Sequence, residues 1–96
     1  MASDILIVDD EADIRDLVAG ILDDEGFSTR TARDSDSALA EIANRRPNLV
    51  FLDIWLQGSK LDGLQLLERL QADDPDLPVI LLTGHGDVPM AVEAMR

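Results

Sequence analysis

Three aspartates stand directly after short apolar runs in this sequence. Asp9 and Asp10 follow the run ILIV at 5–8, and Asp53 ends the run LVFLD at 49–53. Carboxylates that lie close together repel each other, so they do not all stay ionised without a cation between them. Hard divalent cations with oxygen ligands and room for water, above all Mg²⁺, suit such a group. If the fold brings these three aspartates together, they predict a magnesium site.

Magnesium beside a carboxylate favours phosphoryl chemistry, because the ion bridges carboxylate and phosphate oxygens and neutralises charge in the transition state. A carboxylate in that position is also a nucleophile that forms an acyl phosphate. Thr83 and Gly84 follow another apolar run at 79–82, and they offer a hydroxyl and an unhindered backbone N–H to a phosphoryl oxygen. The chemistry that these residue types predict is phosphoryl capture on Asp53.

The elements that must position these residues alternate along the chain. Short β-branched or apolar runs predict strands at 4–9, 27–32, 49–53 and 79–83, and helical spacing of apolar residues separates them. This order predicts an α/β fold, a doubly wound parallel sheet with right-handed crossovers. Ligands bind such sheets at the carboxyl ends of the strands, where the strand order reverses. In the flavodoxin-like version of this sheet, with strand order 2-1-3-4 and then a fifth strand, that point lies between the first and third strands, where the three aspartates stand.

The helices are predicted from apolar spacing and from their end signals. The first runs over 13–25 and stops at Gly26, the second begins at Ser35 as N-cap and ends before Pro47, and the third stops before Pro75. A fourth begins near Asp87 and runs to the end of the sequence. The apolar helix residues predicted to lie in the core are Leu39, Ile42, Leu64 and Leu67.

Length and charge limit the function classes. The 96 residues suffice for one domain, 1–96, and the formal charge of −12 with eight basic residues argues against direct contact with nucleic acid. No apolar run approaches the ~20 residues that span a bilayer, and the start lacks the pattern of a signal peptide. We therefore expect a cytoplasmic domain without membrane contact.

Four segments carry a resemblance to a known family. IVDDE at 7–11, LDI at 52–54, DG at 62–63 and LTG at 82–84 resemble, in order and spacing, the receiver domains of two-component response regulators, which have a flavodoxin-like fold. The resemblance implies that Asp53 is the phosphoacceptor and that Asp9 and Asp10 hold Mg²⁺. It also implies that the backbone carbonyl of Trp55 is the remaining protein ligand and that Thr83 is the switch hydroxyl.

The loop after Asp53 narrows the resemblance. It is about two residues longer than usual in receivers and has Gln57 where a proline is common; with TGHGDVPMAV at 83–92, it is similar to the nitrogen-regulation NtrX type. Such proteins combine a receiver with a sigma-54-interacting ATPase module and a DNA-binding helix-turn-helix. The implied partner is an NtrY-like sensor histidine kinase, and the implied output is transcription regulation by domains outside this chain.

The resemblance also implies that the chain is incomplete at its carboxyl end. Receivers have a fifth strand that ends in a lysine, followed by a fifth helix, whereas this sequence stops at Arg96 and its only lysine is Lys60. The fourth strand would then be an apolar sheet edge, and such an edge favours pairing with a second copy. We therefore expect self-association, as a homodimer or by domain swapping.

Two other functions stay open beside the phosphorylated switch. A degenerate receiver would serve only as a protein-interaction module. A magnesium-dependent phosphohydrolase of the haloacid-dehalogenase type would need a second aspartate where Trp55 stands, and a cap domain for its substrate. We expect a switch that catalyses only its own phosphorylation and slow dephosphorylation, and not a metabolic enzyme.

Overall fold

Four short strands form one parallel sheet in the order β2-β1-β3-β4 in the computed structural model, which describes residues 3–82. The strands are β1 (Asp4–Val8), β2 (Ser28–Ala32), β3 (Leu49–Asp53) and β4 (Val79–Leu82), and the helices are α1 (Ala12–Asp24), α2 (Ser35–Asn44) and α3 (Gly63–Asp73). The predicted doubly wound α/β fold and its strand order are confirmed. The predicted helix from Asp87 lies outside the described residues.

The sheet register explains why the aspartates meet. In the pairing of β1 with β3, Val8 is the partner of Leu52, so the residues that follow them, Asp9 and Asp53, lie level at the carboxyl edge. β1 and β3 are neighbours although α1, β2 and α2 separate them in sequence, and β2 pairs on the other side of β1. The strand order therefore reverses between β1 and β3, as predicted.

One face of the sheet packs against α2 and α3 through a continuous core. The side chains of Leu6 and Leu52 are fully buried in it, together with Leu66 of α3. Ile7, which points to the opposite face, is fully buried as well. Because β1 is buried on both faces of the sheet, its sequence is a continuous apolar run and does not alternate between apolar and polar residues.

The predicted core of α3 is wrong at one position. Leu64 was expected in the core but is 51% exposed, whereas Leu66 and Leu70 are buried. Gly63 begins the helix in direct contact with the end of β3, and this contact sets the rotation of the helix about its axis. Residues three and seven positions after Gly63 then face the sheet, and Leu64 faces outward. The other predicted core residues, Leu39, Ile42 and Leu67, pack against the core while partly buried.

The N-cap predicted for α2 is also corrected. Asp34, not Ser35, is the N-cap. Its side chain accepts a hydrogen bond from the Ser37 N–H at 2.8 Å, and the Asp34 N–H in turn donates to the hydroxyl oxygen of Ser37. This is a capping box, which satisfies two donors reciprocally. Ser35 is the first helical residue and is completely buried. Its hydroxyl is engaged by the loop that follows β3 rather than by its own helix.

Helix α1 begins and ends one residue before the bounds predicted for it, and part of its apolar side is exposed. Two of its apolar residues, Leu17 and Ile21, are 60% and 56% exposed, while Ile14, Val18 and Leu22 are half-buried. The apolar spacing thus predicted the helix correctly. It did not distinguish the residues that contact the sheet from those that face outward.

Candidate functional site

Three carboxylates meet at the carboxyl edge of the sheet. Asp9, Asp10 and Asp53 each place a carboxylate oxygen within 4.8 Å of those of the other two. Asp9 and Asp53 are only 3% and 4% exposed, whereas Asp10 is half-buried. Two of the three carboxylates are thus buried, and the third, Asp10, is partly accessible to solvent. The structure brings together the three aspartates that the sequence analysis singled out.

The loop after β1 holds Asp9 by its main chain and its side chain. The Asp9 N–H donates to the Ala32 carbonyl at 3.0 Å, and the Asp9 carbonyl accepts a bond from Nη1 of Arg15 at 2.8 Å. Oδ1 of Asp9 accepts the Glu11 N–H at 2.8 Å. These contacts fix the carboxylate toward the edge of the sheet. This role of Arg15 was not predicted, since no short sequence pattern signals a side chain that binds a carbonyl six residues earlier.

Burial raises the pKa of Asp9 to about 6. The hydrogen bond from Glu11 lowers this pKa, but the negative charges of Asp53 and Asp10 raise it further. A carboxylate in such surroundings is costly to ionise at neutral pH unless a cation neutralises it. The oxygen donors, their number and their mutual repulsion therefore fit a hard divalent cation such as Mg²⁺.

Asp53 is oriented by the loop that follows it. The Trp55 N–H donates to Oδ1 of Asp53 at 3.0 Å, and the Ile54 N–H continues the sheet by donating to the Leu82 carbonyl at 2.9 Å. Trp55 itself is 65% exposed, so most of this residue lies at the surface of the protein. The arrangement presents a buried, fixed carboxylate next to two others, which is a geometry suited to nucleophilic attack on a cation-bound phosphoryl group.

Gly63 packs against the backbone at the end of β3, the strand that carries Asp53. Its N–H donates to the Ile54 carbonyl at 3.1 Å, and a Cβ at this position would overlap the carbonyl oxygen of Asp53 and the backbone of Ile54. Only glycine allows α3 to begin this close to the strand that carries Asp53. The DG pair at 62–63 is part of the family pattern in the sequence, but this structural role of Gly63 was not predicted.

The remaining predicted site residues are Thr83, Gly84 and the backbone carbonyl of Trp55. Thr83 and Gly84 lie outside the described residues. Trp55 lies in the loop as expected, but the contact described for its backbone is made by its N–H, and its carbonyl as a metal ligand stays a prediction.

The sequence matches the family of response regulator receiver domains over residues 5–96. The chain belongs to this family. The receiver identity accounts for the parallel sheet and for the acidic group at its carboxyl edge, and it places the chain in two-component signalling. Receivers of this family act as phosphoacceptor switches rather than as metabolic enzymes. Within residues 3–82, none of the helices combines the length and apolar character needed to cross a membrane.

Similar proteins of known name include two that are called NtrX. The nitrogen assimilation regulatory protein NtrX of Azorhizobium caulinodans is 66% identical over 96 residues, which are 100% of this chain and 21% of that protein. The crystal structure of the receiver domain of NtrX from Brucella abortus is 65% identical, with a TM-score of 0.84 over 96% of this chain and 77% of that one. TrrA from Thermotoga maritima, crystallised in complex with Mg²⁺–BeF, is 32% identical, with a TM-score of 0.79 over 96% of this chain and 80% of that one. The chain spans about a fifth of the length of the NtrX and NtrX-like relatives that it matches.

Proposed function

We propose that this receiver accepts a phosphoryl group from a sensor histidine kinase on Asp53, in a reaction that depends on Mg²⁺, and thereby switches a transcription-regulating output outside this chain. The observation that carries the proposal is the convergence of Asp9, Asp10 and Asp53, whose carboxylate oxygens lie within 4.8 Å of one another around a buried, oriented Asp53. The proposed donor is an NtrY-like kinase and the proposed location is the cytoplasm; the similarity to a nitrogen assimilation regulatory protein is consistent with a role in two-component signalling.

Each site residue has its own role in the proposed phosphoryl transfer. Asp9, Asp10, Asp53 and the Trp55 carbonyl would hold the cation, which supplies charge neutralisation for the incoming phosphoryl group. A carboxylate oxygen of Asp53 attacks the phosphorus of the donor's phosphohistidine. The P–N bond breaks, its electron pair stays on the imidazole nitrogen, and an acyl phosphate forms on Asp53. The Trp55 N–H keeps the Asp53 carboxylate in one orientation during this step.

The switch itself is a shift between two surfaces that already exist in equilibrium. In the proposal, the hydroxyl of Thr83 turns toward the new phosphoryl oxygens, and the Gly84 N–H binds one of them. The receiver does not contact nucleic acid, since its charge of −12 would repel the phosphate backbone. TrrA, whose crystal structure contains Mg²⁺–BeF, supports the same ligand chemistry for this chain.

The proposal is tested with the chain's single tryptophan as reporter. Adding Mg²⁺ is expected to change Trp55 fluorescence in a saturable manner, and Asp53→Asn and Asp10→Asn are each expected to weaken that binding by about tenfold or more. A small-molecule phosphodonor such as acetyl phosphate is expected to add one phosphoryl group to the unchanged chain and none to Asp53→Asn, as read by mass spectrometry. Asp36→Asn, a change at an exposed carboxylate of α2, serves as control and is expected to behave as the unchanged chain.

The outcomes separate the candidate functions. Mg²⁺ binding that is undetectable by both fluorescence and calorimetry would contradict the proposal and favour a degenerate receiver that acts as an interaction module. Release of many phosphate equivalents per chain would favour a phosphohydrolase instead. Phosphorylation that persists in Asp53→Asn would place the acceptor elsewhere.

Self-association is a further part of the proposal. Among the described strands, β4 lies at the edge of the sheet and pairs only with β3, and its sequence is entirely apolar. Apolar edge strands favour pairing with another chain. We expect a homodimer or a domain-swapped pair at tens of micromolar, measured by light scattering. A strictly monomeric mass at that concentration would contradict this expectation.

A further inference from the structure

We propose that the hydroxyls of Ser35 and Ser59 form a clamp that holds the loop after Asp53 and thereby sets the affinity of the acidic group for Mg²⁺. In this role the two serines are positioning residues, since they act through the loop and do not touch the ion. The inference rests on the proposed function, because it concerns the same site.

The clamp consists of two hydrogen bonds between segments far apart in sequence. The Ser35 N–H at the start of α2 donates to Oγ of Ser59 at 2.8 Å. The Leu61 N–H in turn donates to Oγ of Ser35 at 3.1 Å. Each serine hydroxyl thus accepts a backbone donor from the other segment. Ser35 is completely buried and Ser59 is half-buried, so water replaces these bonds poorly.

The two hydrogen bonds also help to cap the N-terminus of helix α2. The first N–H groups of a helix have no partner within the helix and need acceptors from elsewhere. Asp34 supplies one for the Ser37 N–H, whereas the acceptor for the Ser35 N–H comes from Ser59 in the loop. A buried donor left without a partner is costly, so the loop and the helix end stabilise each other.

The same loop orients the phosphoacceptor. It starts at Trp55, whose N–H holds Oδ1 of Asp53, and it ends at Gly63 against the Ile54 backbone. Between these points Leu56 is buried in the core, and Gly58 turns the chain with a φ of 71°. The clamp at Ser59 holds the stretch just after that turn. Releasing it frees the middle of the loop, and with it the orientation of the Trp55 backbone beside Asp53.

Two substitutions test the clamp. Ser59→Ala removes the acceptor for the Ser35 N–H, and Ser35→Ala removes the acceptor for the Leu61 N–H while it leaves the other bond in place. Each is expected to weaken Mg²⁺ binding by up to about tenfold, the lower end of the effect of groups that bond directly to metal ligands, because the serines act only through the loop. Ser59→Thr keeps a hydroxyl and is expected to restore binding. Ser28→Ala, at an exposed serine of β2, is the matched control.

The measurements are calorimetric Mg²⁺ affinity, Trp55 fluorescence and amide hydrogen exchange at Ser35 and Leu61, all on the full chain. Faster exchange at these amides together with weaker Mg²⁺ binding in the alanine variants is the expected result. Faster exchange with unchanged Mg²⁺ affinity would overturn the inference alone, since the clamp would then serve only the fold. Absence of Mg²⁺ binding in the unchanged chain would overturn the proposed function, and the inference with it.

Discussion

Replacing Gly63 by alanine is expected to destabilise the fold by about 3 kcal/mol and to abolish detectable Mg²⁺ binding. The added Cβ would overlap the carbonyl oxygen of Asp53 and the backbone of Ile54, neither of which belongs to a flexible side chain. Either α3 or the end of β3 must therefore move. Because β3 carries Asp53, movement of the strand displaces the phosphoacceptor from Asp9 and Asp10.

The matched control is Gly20→Ala. Gly20 lies inside α1, and a Cβ there meets no atom within 4 Å. Alanine in a helix interior is more favourable than glycine, so this variant is expected to be more stable by about 0.5–1 kcal/mol and to bind Mg²⁺ normally. Urea unfolding and calorimetry measure both quantities. A Gly63→Ala variant with the stability and Mg²⁺ affinity of the unchanged chain would show that α3 does not approach Asp53 as described.

Replacing Asp9 by asparagine is expected to affect stability and Mg²⁺ binding in opposite ways. Without Mg²⁺ the variant should be more stable than the unchanged chain at pH 7 by about 1–3 kcal/mol, because ionising the buried Asp9 carboxylate beside Asp53 and Asp10 costs free energy. With Mg²⁺ the order should reverse, since the carboxylate that repels its neighbours also attracts the ion. An amide keeps the size of the side chain, so the change isolates the charge.

The effect of Asp9 on the free energy of unfolding depends on pH in a direction that follows from its raised pKa. Burial raises the pKa of Asp9 to about 6, above its ordinary value of 3.8, so the native state binds more protons than the unfolded state between these two values. The contribution of Asp9 to stability therefore falls as pH rises through this window and is fully lost above it. The difference in unfolding free energy between Asp9→Asn and the unchanged chain should grow from about pH 4 to about pH 7 and then level off. Asp36→Asn should show no such growth, and a flat difference for Asp9→Asn would contradict the raised pKa.

The position of the acidic group could be predicted from the sequence because it depends on strand periodicity and topology. Apolar runs that end in aspartate predict buried strands, and alternation with helices predicts a parallel sheet whose carboxyl ends lie at one edge. Asp9 and Asp53 meet because β1 and β3 are neighbours, a strand order that the resemblance to receivers implied. Thr83, predicted at the same edge, lies outside the described residues, so its place remains a prediction.

Other features were decided by tertiary contacts that have no local signal. Apolar spacing predicts a helix but not its rotation, and the contact of Gly63 with β3 turned Leu64 outward and Leu66 inward. Ser35 resembles an N-cap, yet its hydroxyl binds a backbone donor 26 residues away, while Asp34 caps the helix.

One physical reason explains why some of these features could be predicted from the sequence and others could not. Periodicity and chain order are properties of consecutive residues, so the sequence by itself determined the elements, their parallel arrangement and the edge at which the aspartates collect. Close packing and the satisfaction of buried donors depend on which segments meet in space. Only the tertiary structure could therefore decide that Gly63 supports Asp53, that Arg15 holds the Asp9 carbonyl, and that Ser59 completes the amino end of α2.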